Sequence, residues 1–264
     1  VRWRAPLAAT LAALALLTGC ARSVDTVDHL GGEAGEPARH DTPPPHRRWG
    51  LAAPLAPAPT PAHAPHRHRA GLPPVVDHVP TRDKVVFLTY DDGAERDPRF
   101  IAMVRELRLP VTMFLTDSVV GPGYAHFARL RAVGASLQNH TLDHPALRGL
   151  PYAGQRAEIC GQQDKLKSRF GLRPHLFRPP YGTYDTTTRR AAADCGISTI
   201  VLWRVSMGPT GLTYTHGPHH LRPGDIIALD PDTPAGPPLT DRTTHLLRHA
   251  QQRGLTIARL ENYL

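Results

Sequence analysis

The ten residues Lys84-Val85-Val86-Phe87-Leu88-Thr89-Tyr90-Asp91-Asp92-Gly93 decide how the rest of the chain is read. Four apolar residues followed by Thr and Tyr make a short, β-favouring run of the kind that forms a fully buried strand. Two adjacent carboxylates leave that strand, and Gly93 permits a sharp turn. Neighbouring side chains on an extended chain point apart. One carboxylate can therefore hold a cation while the other acts as a base. An Asp-Asp-Gly turn is equally a common solvated turn, so its meaning depends on which residues stand at the ends of the other strands.

Working outward, short apolar runs alternate with helical patterns. Strands are predicted at 84–90, 111–115, 136–139, 175–178, 198–203, 225–229 and 255–259. One amphipathic stretch opens at Asp97-Pro98, with Ile101, Val104, Leu107 and Leu109 as its apolar stripe. Others cover 152–170 before Gly171, 186–195, and 240–253 before Gly254. Repeated β-then-α units predict an α/β fold, a parallel sheet closed or nearly closed into a barrel of about seven strands. In such folds the chemistry gathers where strands end.

Two further motifs pass that test. His140-Thr141-Leu142-Asp143-His144 follows the strand at 136–139. Histidines at i and i+4 lie one helical turn apart and can chelate one ion. With Asp92 they make a two-His, one-Asp set with open positions, as catalytic zinc requires. Phe177-Arg178-Pro179-Pro180-Tyr181-Gly182 follows the strand at 175–178. Its prolines stiffen a turn, Arg178 can pair with a carboxylate across the barrel mouth, and a backbone N–H there can face an oxyanion.

"TYDDG", "HTLDH" and "RPPYG", in this order and at these separations, resemble the first three motifs of the polysaccharide deacetylase family, the NodB-homology domain of carbohydrate esterase family 4. The resemblance covers about residues 85–264. It implies a distorted (β/α) barrel, one divalent metal ion (zinc foremost, with cobalt, nickel or manganese as alternatives) and hydrolysis of N-acetyl groups on amino sugars. By motif position, Asp91 resembles the general base, and Asp92, His140 and His144 resemble the metal ligands. Arg178 resembles the residue that orients the base, and the N–H of Tyr181 resembles an oxyanion donor.

Two later positions depart from the family. Its last motif ends in a His that serves as general acid, whereas here the run 225–229 is followed by Asp230. A carboxylate, with an ordinary pKa of about 3.9, donates poorly near neutrality unless its surroundings raise that value. Where the family carries an Asp that supports the acid, this chain reads Trp203-Arg204-Val205-Ser206. Three outcomes stay open: Asp230 is an acid of raised pKa, a His of the 216–220 loop (His216, His219 or His220) replaces it, or the protein binds glycan without turnover.

The N-terminus reads as an address. Arg2 and Arg4 precede an apolar run from Ala5 to Leu17, then Thr18-Gly19-Cys20. The run suits a secretory signal and is too short for a membrane span of about 20 apolar residues. Leu17-Thr18-Gly19-Cys20 resembles a bacterial lipobox, which implies a signal peptide at 1–19 and a lipid on Cys20. The expectation is an exported protein anchored to the extracellular face of the cell membrane. An ordinary signal peptide is the alternative. Thirteen of the 28 Pro precede residue 81, so 20–80 is expected to be a disordered Pro/His-rich linker, with the folded domain at 81–264. Seven of the sixteen His lie in the first 80 residues, which also admits a metal-collecting role.

The formal net charge is +8, and hydrophobic residues make up 41%. These values fit a globular domain and exclude a polytopic membrane protein. No basic run carries interleaved aromatics, so nucleic acid is not expected as a partner; a monomer is. Cys160 and Cys195 fall on successive predicted helices of an exported domain. There a disulfide can persist, and similar family members carry the same pair; two separate buried thiols are the alternative. Together these readings predict a metal-dependent hydrolase that removes N-acetyl groups from an amino-sugar glycan, peptidoglycan or chitin-like. The rival is a surface protein that keeps the cleft but only binds glycan.

Overall fold

The computed structural model describes residues 43–61, 71–94, 96–229 and 236–264. The lipobox and Cys20, the signal peptide and Asp230 lie outside the described residues. Along the chain come α1 (Pro45–Arg48), β1 (Val75–Val76), β2 (Val85–Tyr90), α2 (Pro98–Leu107), β3 (Val111–Leu115), α3 (Asp117–Val120), α4 (Tyr124–Ala132), β4 (Ser136–Asn139), α5 (Tyr152–Phe170) and β5 (Leu176–Phe177). They are followed by α6 (Thr186–Asp194), β6 (Thr199–Val201), β7 (Val205–Gly208), β8 (Gly211–Tyr214), β9 (Ile226–Leu229), α7 (Leu239–Gln252) and β10 (Thr256–Ile257). No helix among the described residues is long and apolar enough to cross a membrane.

The strand order is β1-β6-β5-β4-β3-β2-β9-β7-β8, with β10 pairing β2. All pairs are parallel except the β7–β8 hairpin. Every position of β2 is buried, because it pairs with β3 and β9 and is covered on both faces, as parallel strands are. The sheet curls back on itself through one stretch of chain. Thr199–Val201 pairs β5, and four residues further on Val205–Gly208 pairs β9. The open step between them is filled by β1 and the residues that follow it: Leu202 N–H donates to Val76 O (2.7 Å) and Val79 N–H to Gly224 O (2.8 Å). Gly224 has φ +86°, and a Cβ there would lie 1.9 Å from Val79 O, so this closure admits only glycine. The fold is thus a distorted (β/α) barrel, as the sequence predicts.

Local chemistry sets the helix ends. Asp97 accepts from Arg99 N–H at 2.8 Å with Pro98 in the first turn of α2. Asp185 and Thr188 form a capping box on α6. Gly171 closes α5 at φ 69°.

Two expectations need correction. The segment at 20–80 is not uniformly a linker, and the folded unit starts at Pro43. Leu51 is buried, and Trp49 Nε1–H donates to Glu106 (2.7 Å). Arg248 Nε–H donates to Gly50 O (2.7 Å), Gln251 to Ala53 O (2.9 Å), and Thr256 to Ala56 O. Pro removes donors but leaves carbonyl acceptors, so this segment docks through its carbonyls as well as through Trp49 and Leu51, and hydrophobic periodicity gives no sign of it. The predicted strand at 198–203 is also shorter than expected, since β6 ends at Val201, and the chain re-pairs beyond it as β7, a strand the sequence reading did not include. Its partner β8 is only half-buried and one of its positions is exposed, so it lacks the apolar run that marks the other strands.

Cys160 and Cys195 are joined by a disulfide that closes a 35-residue span and ties α5 to the end of α6. Replacing both by Ser is expected to cost about 2–4 kcal/mol of stability through the loosened unfolded chain. Urea denaturation of the two proteins measures it, and equal midpoints with equal slopes would show that the bridge constrains nothing.

Candidate metal centre and catalytic pair

The C-terminal ends of β2, β4 and β5 deliver the site residues to one mouth of the barrel. Asp92 Oδ1 lies 3.2 Å from His140 Nε2 and 3.1 Å from His144 Nε2. The two Nε2 atoms are 3.2 Å apart. Among the described residues this is the one group of three such ligands. Asp92 Oδ1 is buried without a hydrogen bond of ordinary geometry. His140 Nδ1 sits 2.7 Å from Arg178 O; donation there leaves the Nε2 lone pair facing Asp92. With His144 in the matching tautomer, three lone pairs converge on one point, an arrangement that fits a divalent cation. Burial pushes the Asp92 carboxyl up, but the two imidazoles beside it outweigh that and hold it below the ordinary carboxylate range. Asp92 in turn raises His144, against the opposing effect of burial.

The backbone is bent to achieve this. Five described non-glycine residues have positive φ: Asp92 (66°), Arg108 (51°), Thr141 (74°), His144 (60°) and Tyr181 (58°). Four of them belong to the site motifs, so strain gathers where ligands are aimed. Neighbours hold these turns in place. Thr116 N–H donates to Asp92 O (3.2 Å), and its hydroxyl donates to His140 O (2.8 Å). Asn139 Oδ1 accepts from Thr141 N–H (3.0 Å), and Thr141 Oγ1 from His144 N–H (3.1 Å). From α5, Glu158 accepts from the N–H groups of Leu142 (3.1 Å) and Asp143 (3.0 Å). Gly93, at φ +82°, lets the carboxylate turn sit against Val120, Leu115 and Phe127, where a Cβ would come within 2.6 Å of Val120.

Asp91 points the other way, to Arg178. Arg178 Nη1–H donates to Asp91 Oδ1 (2.7 Å) and to Thr89 Oγ1 (2.8 Å). Its Nε and Nη2 donate to Val201 O and Leu202 O (both 3.2 Å). The guanidinium is fully buried, packed 4.3 Å from the Phe114 ring centroid and 5.2 Å from that of Trp203. Burial pulls its pKa below the ordinary value while Asp91 pushes it back up. Asp91 is thus an accessible carboxylate on a rigid cationic mount. Tyr181, 65% exposed, overhangs the cluster with its ring centroid 4.8 Å from that of His144.

Six predicted residues therefore meet in one place: Asp91, Asp92, His140, His144, Arg178 and Tyr181. Two histidines of the 216–220 loop are engaged elsewhere. His216 pairs with Asp77 (2.7 Å), His219 stacks on Tyr214, and neither these nor His220 belong to the cluster. At the position where the family's supporting Asp is expected, Arg204 instead makes a fully buried bidentate pair with Asp225 (2.6 and 2.5 Å). Its remaining N–H groups fix that loop through His216 O (3.1 Å), Pro218 O (3.0 Å) and His220 O (3.1 Å). Thr89, Thr116 and Glu158 are supporting residues that motif spacing missed. Thr89 lies inside the run 84–90, and a hydroxyl in an otherwise apolar buried strand was the signal available.

A parallel barrel with a two-His, one-Asp cluster beside an arginine-mounted carboxylate defines a class of candidate metallohydrolases. Residues 78–200 match the model of a family described as Polysaccharide deacetylase. An uncharacterized protein of Streptomyces coelicolor is 68% identical over 194 residues, covering 73% of this chain and 78% of that one. Chitin deacetylase 1 of Cryptococcus neoformans is 30% identical over 150 residues, 56% of this chain and 32% of that one. The chain thus spans about a third of that relative's length. A family 4 carbohydrate esterase from Streptomyces lividans, solved in complex with acetate, shares 26% identity and a TM-score of 0.55, covering 66% of this chain and 92% of that one.

Proposed function

We propose that this protein is a metal-dependent hydrolase that removes acetyl groups from the amino sugars of a cell-wall or chitin-like glycan. The observation that carries the reading is the convergence of Asp92, His140 and His144 beside the Arg178-held Asp91. Asp92, His140 and His144 hold the cation, and imidazole nitrogen with a single carboxylate favours zinc. When bound, the cation supplies Lewis-acid polarisation of the amide carbonyl and makes water more acidic. Asp91 takes the proton of the attacking water, and Arg178 fixes its orientation. The N–H of Tyr181 donates to the developing oxyanion, a contribution worth about 3–4 kcal/mol per donor. Asp230 hands a proton to the departing amine. The named relative that acts on chitin supports the substrate class.

The protein works outside the cytoplasm, anchored by lipid on Cys20, as a monomer. The Cys160–Cys195 bridge supports an oxidising compartment. A second reading, glycan binding without turnover, draws on Arg204, which is committed to Asp225 and cannot support an acid. Acetate release from N-acetylglucosamine oligomers separates the two. The proposal expects release that a chelator abolishes and zinc restores; glycan binding by zinc-loaded protein with no acetate at any pH from 5 to 9 establishes the second reading.

A further inference from the structure

A polar cavity of about 460 Å³ opens beside the site, lined by Arg148, Gly182, Tyr184, Asp185 and Arg189 among others. It begins where the cluster ends. Gly182 directly follows Tyr181, whose ring stands against His144, and Arg148 lies four residues after His144 on the loop leaving the centre. The guanidinium of Arg148 makes no hydrogen bond or ion pair with any described residue. Arg189 spends only its Nε–H, on Pro73 O (3.1 Å), so its two terminal nitrogens remain. Asp185, also on the wall, is already engaged: Gly149 N–H donates to Oδ2 (3.0 Å) and Thr188 N–H to Oδ1 (2.8 Å). Its carboxylate is held by these donors, and the two arginines outnumber it on the cavity wall.

We propose that this cavity is a subsite for the carboxylate of an acidic amino sugar, gripped by Arg148 and Arg189, so that the preferred substrate is an acidic rather than a neutral N-acetylated glycan. The proposal rests on the deacetylase reading and narrows it. A guanidinium matches a carboxylate in a planar, two-point fashion. A neutral N-acetylglucosamine chain offers the guanidinium forks only uncharged oxygens, those of its hydroxyls, ethers and acetamides. N-acetylmuramic acid, whose lactyl ether bears a carboxylate on the ring that carries the acetamide, is the simplest sugar of the required kind.

The test is an NMR titration of the full chain carrying Asp91→Asn and loaded with zinc, so that ligands are not consumed. The probes are the disaccharide of N-acetylglucosamine with N-acetylmuramic acid, and neutral N,N′-diacetylchitobiose. The acidic disaccharide is expected to bind about tenfold more tightly at low salt, in line with a charge-assisted bond. That ratio should fall towards one in about 0.5 M salt and in Arg148→Ala, and should partly return in Arg148→Lys. Equal binding of the two probes, an unchanged ratio in Arg148→Ala, or binding of neither overturns the subsite. Acetate release from the neutral oligomer by the unmutated protein reports on the deacetylase reading separately: release with equal binding leaves that reading standing and removes only the subsite.

Discussion

Replacing Asp91 by Asn is expected to lower acetate release by about 10²–10⁴-fold, the usual contribution of a general base, while zinc stays bound at one ion per chain. The split follows from the geometry. Asp91 faces Arg178, with Nη1 at 2.7 Å, whereas the converging lone pairs belong to Asp92, His140 and His144. Asn keeps the size and an oxygen that can accept from Arg178, but it has no basicity at neutral pH. The change also leaves a fully buried guanidinium without its anion, so some loss of thermal stability accompanies it. The comparison is therefore made well below the variant's melting temperature. An unchanged rate would remove Asp91 from the chemistry. Loss of the ion together with the rate would make Asp91 a ligand and overturn the division of labour between the two adjacent carboxylates.

The second large effect is on the fold. Arg204→Ala is expected to destabilise the protein by about 3–5 kcal/mol, the usual consequence of removing one partner of a buried ion pair. Asp225 has no exposure of its own, and its other close contacts are Arg222 N–H at 2.9 Å and the Arg222 guanidinium at 3.6 Å. Three carbonyls of the 216–220 loop also lose their donor. Chemical denaturation measures the effect. The double variant Arg204→Met with Asp225→Leu, which removes both charges, should recover much of the loss. If it is as unstable as Arg204→Ala, the penalty comes from the loop carbonyls rather than from the stranded carboxylate. If Arg204→Ala is itself neutral, the pair has no structural role, and Arg204 becomes available as a site residue.

Much of this architecture was legible because parallel strands buried on both faces are predominantly apolar. The runs at 85–90, 111–115 and 226–229 announce themselves. The site was legible for a different reason: each motif begins at the end of a strand, so strand positions and motif positions check one another. What escaped reading was whatever is held by polar contacts. Residues 43–61 attach through carbonyl acceptors, and β8 is half-buried at most. Helix α4 has its buried residues His126, Phe127 and Leu130 interrupted by polar positions, so its apolar stripe is weak. Arg204 looked like a departure from a catalytic pattern, and only its distance to Asp225 reveals a structural part. Glu158 supports the 141–144 turn from a helix that begins eight residues after His144, a relation no local pattern carries.

The claim beneath all of this is that Asp92, His140 and His144 hold one cation. Anomalous diffraction at the zinc edge, from crystals of the full chain dialysed against zinc, tests it most directly. The account predicts a peak about 2.0–2.2 Å from Asp92 Oδ1 and from both Nε2 atoms, at full occupancy. A cluster left empty in the presence of millimolar zinc, or zinc found only elsewhere on the chain, would contradict it.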